Sequence, residues 1–134
     1  MTDRPQICVG AVARRAEHLL LIKRGTAPGL GQWSLPGGRV ELGETMAEAV
    51  LRELAEEAGI DAVVNDVVGW VERISPEYHF VIVDFAVTAL GEAQPVAGSD
   101  AADARWIPLW QVTELDLVDG LLDFLADHRV IECL

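Results

Sequence analysis

Apolar residues recur at helical spacing along positions 46–58, the most clearly patterned stretch of the chain. Methionine, alanine, leucine, glutamate and arginine dominate this stretch, and it contains no proline, which favours a helix. Thr45 is a suitable N-cap, and Glu48 three residues later would complete a capping box. Gly59 is suited to the left-handed residue that ends a helix. The pattern therefore predicts a helix over 46–58.

One apolar stripe runs along this helix at about 100° per residue. The stripe consists of Ala47, Val50, Leu51, Leu54 and Ala58. Three carboxylates, those of Glu53, Glu56 and Glu57, fall on a neighbouring arc. We expect the stripe to pack against a sheet, while the three carboxylates converge at its margin.

Converging carboxylates need a counter-charge. Two of them about 6 Å apart repel by roughly 3 kcal/mol at an effective dielectric of about 20. A solvated helix face relieves such repulsion with a lysine or arginine four residues away. This face has no lysine, and Lys23 is the only one in the chain. Clustered carboxylates with a backbone oxygen nearby suit hard divalent cations, Mg²⁺ or Mn²⁺. The alternative is an acidic face that is merely solvated.

A fixed spacing surrounds these glutamates. Gly38 is followed after five residues by Glu44 and, after seven more, by the run RELAEEAGI, which begins at Arg52 and ends at Ile60. This arrangement resembles the signature of the Nudix hydrolase superfamily, because every fixed position of the pattern G-x5-E-x7-R-E-U-x-E-E-x-G-U is filled, where U is an aliphatic residue. Seven fixed identities in register arise by chance on the order of 10⁻⁶ per chain of this length.

The resemblance implies roles for the residues of the signature. The implied ligands of Mg²⁺, or alternatively Mn²⁺, are Glu53, Glu56, Glu57 and the backbone carbonyl of Gly38. Glu44 would support this site from the loop before the helix. Arg52 would hold the glutamates in orientation, although a surface arginine with weak local ion pairs is its alternative role.

The implied reaction is hydrolysis of the pyrophosphate bond in a nucleoside diphosphate linked to another group. Divalent ions would neutralise the phosphate oxygens, a water would attack phosphorus, and a carboxylate would accept the proton of that water. Glu53 is the favoured base. Asp100 or Asp103 is the alternative, because Nudix enzymes often bring a further acidic residue from a loop in this part of the chain, here 91–104.

Residues outside the signature decide the substrate in this superfamily. Arg24 could bind a phosphate, because guanidinium groups pair bidentately, or it could be a surface charge. Pro76, sixteen residues after Ile60, matches a marker of ADP-ribose hydrolases, and Tyr78 matches a marker of dinucleoside-polyphosphate hydrolases. ADP-ribose or another nucleotide sugar is the favoured substrate. The alternatives are an (8-oxo-)dNTP, as in the MutT type, and a Nudix-like domain that senses nucleotides without hydrolysing them.

Alternating and β-branched segments predict the remaining elements. The predicted strands are 7–14, 18–24, 62–74, 78–90 and 105–108, and a second helix covers 119–128. The strand at 78–90 is apolar on both faces and should be central, with Asp84 either hydrogen-bonded in the interior or facing the cleft. The expected fold is α/β (α+β): an α/β/α sandwich with a mixed, largely antiparallel sheet between helices, as the resemblance also implies.

Length and charge narrow the function further. A chain of 134 residues with 51% hydrophobic residues should form a single domain, 1–134. Its net charge of −12 argues against a nucleic-acid polymer or an anionic membrane as partner, and it suits a small nucleotide that metal ions shield. No segment reaches the ~18 apolar residues of a membrane span, and the first residues do not resemble a signal peptide.

Cysteine and histidine usage suggests neither a disulfide nor a zinc site. Cys8 and Cys133 lie far apart without a CxxC motif, so we expect buried free thiols and a reducing cytoplasm. His18, His79 and His128 are scattered along the chain. An apolar β surface would allow a homodimer, although no residue establishes one.

Overall fold

The computed structural model describes residues 4–98 and 100–132. Its strands are β1 (Gln6–Arg15), β2 (His18–Arg24), β3 (Trp33–Ser34), β4 (Gly37–Arg39), β5 (Ala62–Ile74), β6 (His79–Ala89) and β7 (Ala101–Pro108). Its helices are α1 (Met46–Ala58), α2 (Leu109–Val112) and α3 (Leu121–Asp127).

One mixed sheet runs through the described structure in the order β3-β2-β1-β6-β5, while β4 pairs with β1 and β7 pairs with β2. β1 and β6 are parallel, with Gly10 opposite Asp84. The other pairs among these named strands are antiparallel. The predicted mixed, largely antiparallel sheet is confirmed. β6 is an interior strand between β1 and β5, while β1 holds the middle position that was predicted for β6.

Side chains of β1 and β2 alternate between two hydrophobic cores, because successive residues of a strand point to opposite faces. Val9 and Leu20 pack in the core that contains Leu54 of α1. Val12 and Leu19 pack in the core formed with α2 and α3. Helices therefore cover both faces of the sheet, which confirms the predicted sandwich.

Two predicted boundaries are wrong. β7 begins at Ala101, four residues before the predicted strand at 105–108, because the added residues pair with β2, with Asp103 opposite Lys23. A partner across the sheet, rather than local composition, decides where this strand begins. The second predicted helix is shorter than 119–128, because Gly120 adopts a left-handed conformation (φ 81°) immediately before α3.

Cys8 is buried and free, as predicted, whereas Cys133 lies outside the described residues. Burial raises the pKa of the Cys8 thiol, which favours its protonated form. Among the described residues, no helix has the length and apolar character needed to cross a membrane.

Candidate active site

Local contacts fix the ends of α1, the helix that carries the glutamates. The Thr45 Oγ1 atom accepts a hydrogen bond from the Glu48 N–H at 3.1 Å, and the Glu48 carboxylate accepts one from the Thr45 N–H at 2.9 Å. Gly59 ends the helix with φ 65°, a conformation that glycine adopts at little cost. The predicted helix and both of its caps are confirmed.

The buried face of α1 differs from the predicted stripe. The buried residues are Ala49, Val50, Leu54 and Ala58. Ala47 and Leu51 are exposed, so their predicted burial is wrong. On a helical wheel, the true face is displaced by roughly half a residue step toward the glutamates. Because the sheet contacts this side, Glu53 and Glu57 are partly buried.

Arg52 is the centre of a hydrogen-bond network. Its Nε and Nη2 atoms donate to the two carboxylate oxygens of Glu44 at 2.7 and 2.9 Å. Its Nη1 atom donates to Glu53 Oε1 at 2.8 Å and to Glu56 Oε2 at 3.3 Å. Nη2 also donates to the backbone oxygen of Arg39 at 3.0 Å. One guanidinium group therefore joins the loop before α1, strand β4 and two glutamates of α1.

Glu44 is anchored from two directions. Besides the two hydrogen bonds from Arg52, its Oε1 atom accepts one from the Glu41 N–H at 3.0 Å. The Arg52 guanidinium, followed by the Glu41 N–H, lowers the pKa of Glu44 to about 2. Glu44 is therefore ionised at neutral pH, and its negative charge holds the Arg52 guanidinium in place. The carboxylate of Glu41 is exposed and lies 3.6 Å from Arg52.

Glu53 lies directly against Gly38 of β4. A Cβ atom at position 38 would lie 2.6 Å from each carboxylate oxygen of Glu53, so only a residue without a side chain admits this arrangement. Pairing of β4 with β1 holds Gly38 opposite Val9. Burial raises the pKa of Glu53, and the hydrogen bond from Arg52 opposes that shift.

Glu57 is bound to the preceding glycine. Its Oε1 atom accepts a hydrogen bond from the Gly37 N–H at 2.7 Å. Burial raises the pKa of Glu57 to about 7, although this hydrogen bond acts in the opposite direction. The charges of Glu53 and Asp100 act on the pKa in the same direction as burial, while Arg24 lowers it. Glu57 is thus a half-buried acid whose pKa is raised chiefly by the loss of solvent around it.

The donor set fits a hard divalent cation, although the side chains do not already surround a metal position. Within 4–98 and 100–132, no three Asp, Glu, His or Cys side chains are grouped closely enough to bind an ion. Arg52 instead contacts oxygens of Glu53 and Glu56, and Glu56 is the more exposed of these two. The contact between Glu53 and Gly38 nevertheless places a carboxylate beside the backbone of β4, and Mg²⁺ prefers carboxylate and carbonyl oxygens as ligands.

A cleft of about 460 Å³ lies beside these carboxylates, a volume typical of small-molecule sites. Gly37, Gly10 and Asp84 form one row across β4, β1 and β6 on its floor. Adjacent strands lie roughly 5 Å apart, so the backbone of Asp84 is about 10 Å from the strand that binds Glu57. Phe124 of α3 also lines the cleft.

The structure brings two of the three predicted substrate-binding residues to the cleft. Arg24 lines its wall, as does Tyr78. The Tyr78 ring stacks on Phe80 with centroids 4.7 Å apart and an angle of 12° between the planes. Pro76 is exposed in the turn between β5 and β6 and is not among the lining residues.

The two alternative acids of the 91–104 segment have different surroundings. Asp100 lines the cleft, and its charge acts on Glu57. Asp103 is not in a loop as predicted: it lies in β7, where its carboxylate accepts hydrogen bonds from Arg105 Nε and from the Ala104 N–H, each at 2.8 Å. Asp100 is therefore the loop acid that can reach a ligand in the cleft.

The cleft is also lined by Arg73, Phe80 and Phe124, to which no sequence motif assigns a role. Arg73 lies opposite Phe80 on adjacent strands, so a correct register would have placed both on one face. The register of β5 against β6 shifts between Val64 and Val67 and again between Val67 and Gly69, so the side chains of β5 do not simply alternate between the two faces of the sheet.

Of the two alternatives for Asp84, the cleft-facing one is observed.

Similar proteins carry this fold. The NUDIX domain family matches residues 4–128. An ADP-ribose pyrophosphatase from Methanocaldococcus jannaschii is 34% identical over 113 residues, which are 83% of this chain and 66% of that protein. The chain thus spans just under two thirds of that relative's length. A putative 8-oxo-dGTP diphosphatase 2 from Mycobacterium tuberculosis is 46% identical over 126 residues, which are 91% of this chain and 86% of that protein.

A solved structure agrees with these sequence matches. A MutT protein from Methanosarcina mazei Go1 superposes with a TM-score of 0.83 at 25% identity, and the match covers 97% of this chain and 96% of that chain. The mixed sheet between helices described above is therefore shared with a MutT protein over nearly its full length.

Proposed function

Because the chain belongs to the NUDIX domain family, we propose that it hydrolyses the pyrophosphate bond of a nucleotide held in the cleft beside α1. The observation that supports this most directly is the pair of contacts between α1 and β4. Glu53 lies against Gly38, and Glu57 accepts the Gly37 N–H. Two half-buried carboxylates are thereby held at one backbone segment, and a divalent cation would relieve their repulsion.

Mg²⁺ is the proposed cofactor, with Mn²⁺ as the alternative, because both ions prefer oxygen ligands. The residues that would hold it are Glu53, Glu56, Glu57 and the Gly38 carbonyl. When bound, such ions would neutralise phosphate oxygens and lower the pKa of a water molecule.

The chain's own residues orient the reacting groups. Glu44 fixes Arg52, and Arg52 holds one oxygen of Glu53. We assign Glu53 as the general base: its carboxylate takes the proton of the attacking water while a new bond forms between that water's oxygen and phosphorus. The bridging P–O bond breaks, and the leaving phosphate takes the electron pair. Asp100 is the alternative base, because it also lines the cleft.

Two substrate classes have support. The relative from Mycobacterium tuberculosis supports an (8-oxo-)dNTP, and the archaeal relative supports ADP-ribose. Pro76, on which the expectation of ADP-ribose depends, does not line the cleft, and the 46% identity to the relative from Mycobacterium tuberculosis favours the first class. The stacked rings of Tyr78 and Phe80 offer an aromatic surface to a base of either class.

The test is hydrolysis of a substrate panel in the presence of Mg²⁺. The panel contains 8-oxo-dGTP, ADP-ribose and diadenosine polyphosphates, and the release of phosphate or nucleoside monophosphate is measured. Glu57→Gln keeps an acceptor for the Gly37 N–H but loses the charge, so we expect a rate lower by at least roughly 100-fold. Glu56→Gln should act in the same direction. Glu114→Gln, at an exposed position after α2, is the matched control and should be fully active.

A nucleotide sensor is the competing function, and the same panel separates it from an enzyme. If the wild-type protein and both glutamine variants are equally inert while all three bind nucleotide, the hydrolase proposal is wrong and the sensor is supported.

A further inference from the structure

Asp84 is a buried acid on the cleft floor that the proposed reaction does not use. Its exposed fraction is 4%, yet it lines the cleft. Among residues 4–98 and 100–132, no hydrogen bond or ion pair reaches its carboxylate. Burial raises its pKa to about 6, so the group is mostly ionised at pH 7. Its oxygens are not enclosed by protein atoms and are open to the cleft, where a ligand could supply donors.

The neighbours of Asp84 direct its carboxylate toward the glutamates. Its partners on the adjacent strands are Gly10 and Gly69. The space beside Gly69 is filled by the His128 ring, whose Cε1 atom would lie 2.6 Å from a Cβ at that position. On the other side, the Asp84 Oδ1 atom occupies the position that a Cβ at Gly10 would need. The carboxylate therefore leans over β1, toward the strand that binds Glu57.

Arg73 supplies the complementary charge. It lies two residues from Val71 and four from Gly69 on β5, and Val71 and Arg73 both line the cleft. Its Nη2 atom lies 3.5 Å from the position of a Cβ at Gly120, so the side chain reaches across to the start of α3. Its charge lowers the pKa of Asp84, but no salt bridge within 4.0 Å joins the two groups in the described residues.

A ligand with neighbouring donors and acceptors would satisfy both side chains. The two oxygens of a carboxylate accept two N–H groups, and guanine presents N1–H beside its 2-amino group. The O6 and N7 atoms of unoxidised guanine are acceptors that arginine binds bidentately. In the 8-oxo form N7 carries a proton, so O6 is the acceptor that remains for Arg73. Hypoxanthine lacks the 2-amino group, and adenine has no N1–H donor, so neither base offers two adjacent donors to a carboxylate.

The row of residues across the sheet suits a nucleotide that lies over β1. With its phosphates at Glu57, its base would extend over β1, where the Asp84 carboxylate lies beside the Gly10 backbone, roughly one strand spacing of 5 Å from β4. Given the function proposed above, on which this step depends, we propose that Asp84 and Arg73 are specificity residues that bind the edge of the substrate's base and select guanine.

Binding of nucleoside monophosphates to the metal-free protein tests this proposal. Titration calorimetry would compare GMP, IMP and AMP for the wild-type protein, for Asp84→Asn and for the matched control Asp66→Asn, an exposed acid on β5. Asp84→Asn should weaken GMP binding by roughly 10- to 100-fold and remove the preference for GMP over IMP. The reason is that the NH₂ group of asparagine would face an N–H group of guanine, so that two donors meet. Asp66→Asn should bind as the wild-type protein does.

Arg73→Lys provides a second variant, which keeps the charge but loses the planar fork. It should weaken GMP binding by roughly tenfold, and it should weaken binding of 7-deaza-GMP, which lacks N7, by less. Equal binding of GMP, IMP and AMP by the wild-type protein would overturn the proposal. So would an unchanged preference for GMP in a folded Asp84→Asn protein. Binding is measured without turnover, so the two proposals can fail separately. A protein that hydrolyses nucleotides but binds GMP, IMP and AMP equally would contradict the base-specificity proposal and leave the hydrolase proposal intact. A protein that prefers GMP but hydrolyses nothing would contradict only the hydrolase proposal.

Discussion

The carboxylate of Glu53 occupies the space that a side chain at position 38 would fill: both of its oxygens lie 2.6 Å from the ideal Cβ position. The backbone of β4 and the side chain of α1 are therefore in direct contact, with no room for an inserted methyl group. The position of this glutamate depends on a glycine fifteen residues away in the sequence.

Gly38→Ala should therefore abolish most activity while the protein remains folded. The added methyl group must displace the Glu53 carboxylate, and a displacement of about 1 Å at a catalytic group costs on the order of 100-fold in rate. Steady-state hydrolysis and urea unfolding of the same preparation measure the two effects.

Gly91→Ala is the control for that substitution. Gly91 has φ 71° and no heavy atom near its Cβ position, so alanine should cost about 1 kcal/mol of stability through backbone strain without changing activity. Wild-type activity in Gly38→Ala would show that Glu53 does not need its observed position.

Arg52→Lys tests the hydrogen-bond network around Glu44. Lysine keeps the charge but cannot make the paired contacts to both oxygens of Glu44 while also binding Glu53. We expect kcat to fall by roughly 10- to 100-fold, the range for residues that orient metal ligands, with little change in KM. Arg14→Lys, at an exposed position on β1, should have no effect. A rise in KM at constant kcat would assign Arg52 to substrate binding instead.

Thr45→Ala should destabilise the protein by about 1 kcal/mol, because the Glu48 N–H at the start of α1 loses its acceptor. Urea unfolding monitored by circular dichroism provides the measurement. Thr113→Ala is the matched change at an exposed threonine and should stay within about 0.5 kcal/mol of the wild type. Equal losses in the two variants would mean that the capping box contributes nothing.

The helix could be predicted from the sequence because its signals are local. Thr45, Glu48 and Gly59 each act within one turn of the helix end that they define. The buried face of α1 could not be located as well, since alanines at 47 and 49 satisfy two overlapping stripes equally. In the structure Ala49 is buried, so the side of the helix that carries the glutamates is turned toward the protein interior.

Long-range pairing explains the other differences. The beginning of β7 depends on its register with β2, which no residue of 101–104 reveals. The surroundings of Asp84 depend on parallel pairing of β1 with β6 and on the bulges in β5. The candidate metal ligands could be identified from the sequence because they lie in one contiguous motif. The residues that line the cleft come from strands far apart in the chain.

The stability of Asp84→Asn should depend on pH in a defined way. Burial raises the pKa of Asp84 from 3.8 to about 6, so the folded state binds its proton more tightly than the unfolded state does. The wild-type protein therefore loses stability as pH rises from about 4 to 6, by roughly 3 kcal/mol in total, and the loss stays constant above that range. The asparagine variant carries no such penalty. Urea unfolding of metal-free protein should show the free energy of unfolding of Asp84→Asn, relative to that of the wild type, to rise by about 1.4 kcal/mol between pH 5 and pH 8. Glu57, whose pKa is also raised, is present in both proteins and cancels in the difference. An advantage that is independent of pH would show that Asp84 does not ionise in this range.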